Sequence, residues 1–595
     1  MNDILNDLNL QQQEAVKATN GPVLILAGAG SGKTRVLTCR VAYLVAQKIV
    51  PPENILLVTF TNKAAKEMKE RIEKILDTAR MTPPWTGTFH SLCAKILRLE
   101  NKKFVIYDDN DSVDLVKEIM KKMDISPKNF NPNAVAATIS GAKNQLINSL
   151  EYPQYARGFW QETVSQIYLS YQKSLTENEA LDFDDLIMET VKLFRTDREV
   201  LEKYQDKWPY ILVDEYQDTN LAQFELTRQL AGKYQNICVV GDFSQSIYSW
   251  RGADYKNLLN FKSQFPQTKT FNLEQNYRST QRILDAAYGV ISKNNSHPVL
   301  KLWTDQKAGE KIFLYEAENE QDEAQYIINQ LHSNPINYSN FAVLYRTNAQ
   351  SRVLEENFLR AGMPYILVGG TRFYERKEIK DVLAYLRLIY NFKDSVSLKR
   401  VEKLGKTRFA KFKKEILDAA RMTTLELLSN VLQTTGYLDL FDKENEEDLA
   451  RLENIKELRS VAQEFPQLSD FLENVALVEK ESNRRADKNA VTLMTLHAAK
   501  GLEFPIVFMV GMEEGLFPHS RSLMDRLEME EERRLCYVGI TRAKQKLYLT
   551  YARRRLFFGT HSSNMVSRFI SDIPEHLLQF DKETDPEIEP FDDNF

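Results

Sequence analysis

A chain of 595 residues is too long for one hydrophobic core, so roughly three to five domains are expected. Hydrophobic residues at 43% and charged residues at 27% are ordinary globular usage, which excludes a wholly disordered or collagen-like chain. The net charge of −5 excludes a global basic field, so any nucleic acid must be held by local patches.

The first segment, MNDILNDLNL, carries acids where a secretory leader would carry Lys or Arg, and no later stretch approaches about 20 uninterrupted apolar residues. The expectation is a cytoplasmic protein without a membrane span. Cys39, Cys93, Cys238 and Cys536 stand singly, with no C-x-x-C pair, which argues against a zinc site or a disulfide framework and predicts buried thiols.

Residues 22 to 34, PVLILAGAGSGKT, read as a strand, a glycine-rich turn and the start of a helix. The turn matches G-x-x-x-x-G-K-[ST] except that Ala27 replaces the first Gly. Gly28, Gly30 and Gly32 let backbone N–H groups converge on phosphates, Lys33 brings a point charge, and Thr34 offers a hydroxyl to Mg²⁺. With Ala29, Ser31 and Arg35 these residues form the candidate nucleotide cradle. Downstream, the helical stretch NKAAKEMKERIEKI sets Ala65, Met68, Ile72 and Ile75 on one apolar face.

The stretch ILVDEYQDTN ends an apolar run on adjacent carboxylates, Asp214 and Glu215, a costly pair unless a cation or basic groups balance it. In a chain with a phosphate-binding loop that cation is Mg²⁺, held by Asp214 and Thr34, while Glu215 orients or deprotonates the attacking water. Further apolar runs, ILLVTF, ICVVGD, FAVLYRT, VTLMTL, IVFMVG and KLYLTY, read as buried parallel strands in two sheets. Residues of about 93 to 199 and 378 to 487 have helical patterns with few strand signals. The acidic tail FDKETDPEIEPFDDNF reads as disordered.

Eight segments occur in order: AGAGSGKT, VTFTNKAAKEMKERI, TGTFHSLC, VDEYQDTN, VVGDFSQSIYSWRGAD, LEQNYRS, VTLMTLHAAKGLEF and EERRLCYVGITRAK. Together they resemble the UvrD/Rep family of superfamily 1 DNA helicases, from the N-terminus to about residue 574. The resemblance implies an α/β fold of two RecA-like P-loop NTPase lobes with parallel sheets, each interrupted by a mostly helical inserted subdomain. On that reading the first lobe is 1–92 and 200–272 with insertion 93–199. The second is 273–377 and 488–574 with a shortened insertion 378–487, and 575–595 is the tail. ATP is expected in the cleft between the lobes, with single-stranded DNA crossing both and translocation from 3′ toward 5′.

The same resemblance assigns Gln12 to the adenine edge, Tyr277 to stacking on adenine, Glu503 to the ribose, and Gln245 to sensing the γ-phosphate. Arg278 and Arg542 resemble two arginine fingers. Thr59, Phe60, Thr61, Asn62, His90, Tyr248, Trp250 and Arg251, with Arg346, Asn348 and His497, resemble the DNA track, where stacking and phosphate contacts tolerate any base. The partners the resemblance implies are single-stranded DNA and single/double-strand junctions.

The chain departs from the family in two places. GDFSQS stands where acids are common, so Phe243 and Ser244 lower the negative charge near the phosphates. The segment SLKRVEKLGKTRFAKFKKE lacks the usual proline- and double-glycine-containing turn that contacts duplex. The expectation is an ATP-dependent 3′–5′ DNA helicase. Its alternatives are a translocase that displaces proteins with weak unwinding, and an ATP-gated DNA-binding clamp. A fused nuclease and a C-terminal partner-binding extension are not expected.

Overall fold

The computed structural model describes residues 3–76, 83–127, 129–334, 336–415, 422–443, 445–482 and 489–581. The chain divides into two units, each with its own parallel sheet. The first unit holds Met1–Tyr277, Ser296–Trp303 and Leu438–Leu449, and the second holds the rest.

In chain order the strands of the first unit are β1 (Val23–Ala27), β2 (Ile55–Thr59), β3 (Trp85–Thr88), β4 (Val105–Tyr107), β5 (Ala180–Asp182), β6 (Tyr210–Val213), β7 (Ile237–Gly241) and β8 (Lys269–Leu273). Six of them form a sheet in the order β3-β2-β6-β7-β1-β8, parallel throughout. Strands β1, β2, β6 and β7 are the predicted apolar runs. They are buried because helices cover both faces of the sheet, which leaves no polar-facing side to select alternation. Strands β3 and β8 close the two edges of the sheet and were not predicted, since half-exposed runs such as KTFNL lack a continuous apolar signal.

The helix Asn62–Leu76 buries Ala65, Met68 and Ile72 as its spacing predicts, whereas Ile75 in the last turn is exposed. In the 93–199 region helices dominate, with the short parallel pair β4–β5 as an addition. Its core is apolar and includes Val116, Ile139, Val164, Ile167 and Tyr168. Beside that core lies a buried charge cluster, where Lys143 Nζ meets Asp182 at 2.6 Å and Asp185 at 2.8 Å.

The second unit continues with β9 (Ile312–Ala317), β10 (Phe341–Tyr345), β11 (Tyr365–Val368), β12 (Val491–Thr495), β13 (Phe504–Met509), β14 (Ala543–Ala552), β15 (Arg555–Phe557), β16 (Thr560–Ser562) and β17 (Leu578–Phe580). Its seven-stranded sheet runs β11-β12-β10-β13-β14-β9-β17, again parallel. Strand β17 pairs with β9, so the expected disordered tail gives up residues 578–580 to the sheet edge, where Leu578 and its neighbours complete a ladder. Residues 582–595 of that tail lie outside the described residues.

Among the described residues of the 378–487 region helices dominate, and one of them, Glu446–Glu464, is fastened by buried charge: Arg352 Nε donates to Glu457 at 2.8 Å. All four cysteines are buried and free, as their scattered spacing predicts. No helix among the described residues is long and apolar enough to cross a membrane.

Candidate functional site

Every candidate residue of the first unit beyond Gln12 follows or closes the carboxyl end of a sheet strand. That is where an open α/β sheet binds ligands, because the loops there face one crevice. After β1 the loop turns through Gly30 at φ +67° and Gly32 at φ +86°, both in the left-handed region that glycine alone enters without strain. The helix Lys33–Ala46 starts directly behind it, which aims its first N–H groups at the loop.

Lys33 Nζ is buried and makes no hydrogen bond, and its ion-pair partner, Glu215 Oε1, stands 3.7 Å away. A buried ammonium with so loose a partner is what a phosphate oxygen would satisfy. Arg35, two residues on, pairs instead with Asp7 at 3.2 Å. Ser31 is buried, and its hydroxyl donates back to Gly28 O at 2.8 Å.

Asp214 and Glu215 close β6. Glu215 sits at φ +49°, a strained conformation for a non-glycine residue and a frequent mark of working sites. Its carboxylate accepts from Gln217 Nε2 at 2.6 Å, while Gln217 Oε1 accepts the Asp242 N–H at 2.9 Å. Asp242 Oδ2 in turn accepts from Gln245 Nε2 at 2.6 Å. A continuous polar chain therefore runs from Lys33 through Glu215, Gln217 and Asp242 to Gln245. Gln217 was not among the expected site residues, although it lies two positions beyond Glu215.

The expected base-binding residues lie close to this loop. Gln12 is buried, accepts the Asn9 N–H through Oε1 at 3.1 Å and donates to Ser31 O at 2.9 Å, so its amide both caps its helix and steadies the cradle. Tyr277 is 45% exposed, its N–H donates to Gly30 O at 3.0 Å, and its hydroxyl accepts from Asn9 at 2.8 Å and donates to Gln275 at 3.0 Å. Asn276, a second unpredicted residue, donates to Ala29 O at 2.6 Å.

Thr59 ends β2, where it is the register partner of Thr88 in the neighbouring β3; Phe60, Thr61 and Asn62 follow β2, and His90 follows β3. Phe60 packs edge-on against Phe89 at 5.5 Å and His90 against Phe183 at 5.7 Å. Burial holds the His90 imidazole below the ordinary histidine range. Beyond β7, Trp250 is 43% exposed, with Tyr248 at 6.4 Å and the Arg251 guanidinium 4.4 Å from its ring centre.

The second unit separates its candidates onto opposite ends of the sheet. Arg346 and Asn348 follow β10 and His497 follows β12, at carboxyl ends, whereas Glu503 and Arg542 immediately precede β13 and β14. Arg278 Nε donates to Glu503 at 2.7 Å, and Lys544 pairs with the other Glu503 oxygen at 2.7 Å. Burial raises the Glu503 carboxyl, but the Lys544 hydrogen bond and the Arg278 charge outweigh it and hold it below its ordinary value. Arg542 is buried, donating to Val538 O, Leu502 O and Thr541 Oγ1 at 2.9 to 3.1 Å.

Arg346 forms a two-pronged pair with Glu532, at 2.7 to 3.1 Å, a partner that sequence reasoning missed because it lies far along the chain. Asn348 accepts an Arg376 hydrogen bond at its carbonyl, at 3.1 Å. His497 lies in the turn after β12, where its carbonyl accepts the Lys500 N–H. Among the described residues no group of three or more His, Cys, Asp or Glu is gathered as a metal cage.

Comparison with known proteins bears directly on this geometry. The family model described as the UvrD/REP helicase N-terminal domain matches residues 8–266, and that of the UvrD-like helicase C-terminal domain matches 271–442 and 406–554. The ATP-dependent DNA helicase PcrA of Bacillus subtilis is 48% identical across 97% of this chain and 87% of its own. Those of Staphylococcus aureus and Staphylococcus epidermidis are 46% and 45% identical, each across 97% of this chain and 88% of theirs. The Bacillus match spans 644 positions against 595 residues here, so at least 49 of them face a gap in this chain.

Proposed function

The chain belongs to the UvrD/REP helicase family, and from that premise we propose that it is an ATP-dependent DNA helicase. It moves along single-stranded DNA from 3′ toward 5′ and serves DNA repair or replication in the cytoplasm. The observation that carries this reading is the polar chain from Lys33 to Gln245, which ends three residues before the exposed Tyr248–Arg251 aromatic and cationic loop.

The residues fit ATP. The left-handed glycines open a backbone cradle, and the buried Lys33 ammonium supplies the cation that β- and γ-phosphate oxygens require. Thr34 and Asp214 provide one hydroxyl and one carboxylate, hard oxygen donors suited to Mg²⁺, which keeps several of its waters. When bound, Mg²⁺ would supply neutralisation of charge on the phosphates.

Glu215 orients and deprotonates the attacking water, and Gln217 fixes that carboxylate by donating to one oxygen. Arg278 and Arg542 act as arginine fingers on the γ-phosphate. Because Arg278 is held by Glu503, moving it to phosphate exchanges one anion for another rather than uncovering a bare charge. Tyr277, half exposed above Gly30, stacks on adenine, and Gln12 reads its edge. The residues after β2, β3, β7, β10 and β12 hold single-stranded DNA by stacking and by phosphate contacts, which suits a motor that must pass any base.

Lys33→Ala is expected to lower DNA-stimulated phosphate release by about 10²- to 10³-fold, the usual consequence of losing one charge-stabilising donor. Trp250→Ala is expected to lose most of the stimulation by single-stranded DNA while still binding nucleotide. Parental rates in the Lys33 variant would remove the basis of the proposal.

A second reading has its own support. The gap of at least 49 positions against the Bacillus relative, together with the missing proline and double-glycine turn, favours a translocase that displaces proteins and unwinds weakly.

A further inference from the structure

The chain leaves the second unit at Ser296 and returns to it at Thr304, and residues 296–303, SHPVLKLW, belong to the first unit. Each end of this strap packs against a loop of the candidate ATP site. His297 is 7% exposed, and its ring lies nearly parallel to Phe243, with centres 5.9 Å apart and planes at 15°. Tyr255 meets the same imidazole edge-on at 6.0 Å. Phe243 opens the 3₁₀ turn Phe243–Gln245, so the stacked ring sits on the turn that carries Gln245.

At the other end Leu302 is 5% exposed and fills the space beside Gly28. A Cβ at Gly28 would fall 2.3 Å from Leu302 Cδ2. The Trp303 carbonyl accepts the Asn276 N–H at 2.7 Å, and the Asn276 amide donates to Ala29 O at 2.6 Å. One strap thus touches both the phosphate loop after β1 and the Gln245 turn after β7, on two strands that are hydrogen-bonded neighbours.

We propose that His297 is a positioning residue for ATP turnover: its stack on Phe243 holds the Gln245 turn in register with the phosphate loop that Leu302 supports. This also accounts for Phe243. Its ring can stack on the strap, which a carboxylate at this position could not do. Offset aromatic stacking is directional, so the contact sets the tilt of the turn as well as filling space. The inference rests on reading Gln245 as part of the ATP site.

The test is steady-state ATP hydrolysis with saturating oligothymidylate, for the parent, His297→Ala, His297→Phe, Phe243→Leu and Gln245→Ala, each with its melting temperature. His297→Ala and Phe243→Leu are expected to lower kcat about tenfold with KM for ATP changed less than about twofold, the pattern of a misplaced group rather than a lost binding contact. His297→Phe, which keeps the stack, is expected to restore kcat to within about twofold of the parent. Parental kcat in both His297→Ala and Phe243→Leu overturns the proposal, as does a His297→Phe variant as slow as His297→Ala with an unchanged melting temperature. Should Gln245→Ala keep the parental kcat, the underlying reading of Gln245 fails instead, whatever the His297 variants do.

Discussion

Glu215 shows how a single residue can be both legible and surprising. Its identity and its place at the end of an apolar run are plain in VDEYQD, but its left-handed backbone and its bond to Gln217 are not. Gln217 carried no distinct signal, because a glutamine two residues past a carboxylate is ordinary until the turn Tyr216–Asp218 folds it back. Asn9 did carry one, since an Asn three residues before Gln12 spells a capping box, which the structure contains.

Gly32 is the residue whose replacement is easiest to predict. At φ +86° an Ala pays about 1 kcal/mol of backbone strain, and its Cβ would lie 3.1 Å from Gln12 Nε2. Gly32→Ala is therefore expected to lose about 1–2 kcal/mol of stability in the first unit and to weaken nucleotide binding. Urea denaturation and fluorescent-nucleotide titration would show both, and unchanged values would mean that the loop relaxes freely.

At the scale of elements, the strands that sequence patterns miss are those whose burial depends on a neighbour. Strand β8 contributes KTFNL, at least partly exposed up to the buried Leu273, and is a strand because β1 offers it a free edge. Strand β17 exists for the same reason beside β9. In the helical 93–199 region, the helix Phe183–Thr196 begins with Asp182, Asp184 and Asp185 gathered near Lys143.

Burial, then the Asp182 charge, raises the Asp184 carboxyl from 3.8 to about 6. The folded state thus holds the proton more tightly than the unfolded chain, and the stability this confers is lost as pH rises from about 4 through about 6. Asp184→Asn, which cannot ionise, is expected to raise the melting temperature at pH 8, by on the order of 1 kcal/mol of stability, and to raise it less at pH 5. Equal gains at both pH values would show that Asp184 is not the titrating group.

At the scale of the molecule, the two parallel sheets use their ends differently. In the first unit the nucleotide and DNA candidates share the carboxyl ends of the strands. In the second, Glu503 and Arg542 stand before their strands and Arg346, Asn348 and His497 after theirs. The residues proposed for nucleotide and those proposed for DNA thus stand at opposite ends of one parallel sheet. A 3′-tailed duplex is expected to be unwound and a 5′-tailed one left intact, with streptavidin displaced from a 5′-biotinylated strand as the protein travels toward it. Rapid displacement of streptavidin with little strand separation would favour the translocase reading. Preference for the 5′ tail would contradict the proposed direction.

The sequence by itself determined the family, the α/β class, the glycine-rich loop after the first strand and the acidic pair. Each of these is written in a few adjacent residues whose chemistry depends on local spacing. Only the tertiary structure decided the partners: Gln217 between Glu215 and Asp242, Glu503 on Arg278, Glu532 on Arg346, and His297 on Phe243. Apart from Gln217, those partners lie tens to hundreds of residues apart along the chain. No local pattern encodes them, because strand order in the sheets, rather than sequence separation, sets which loops meet.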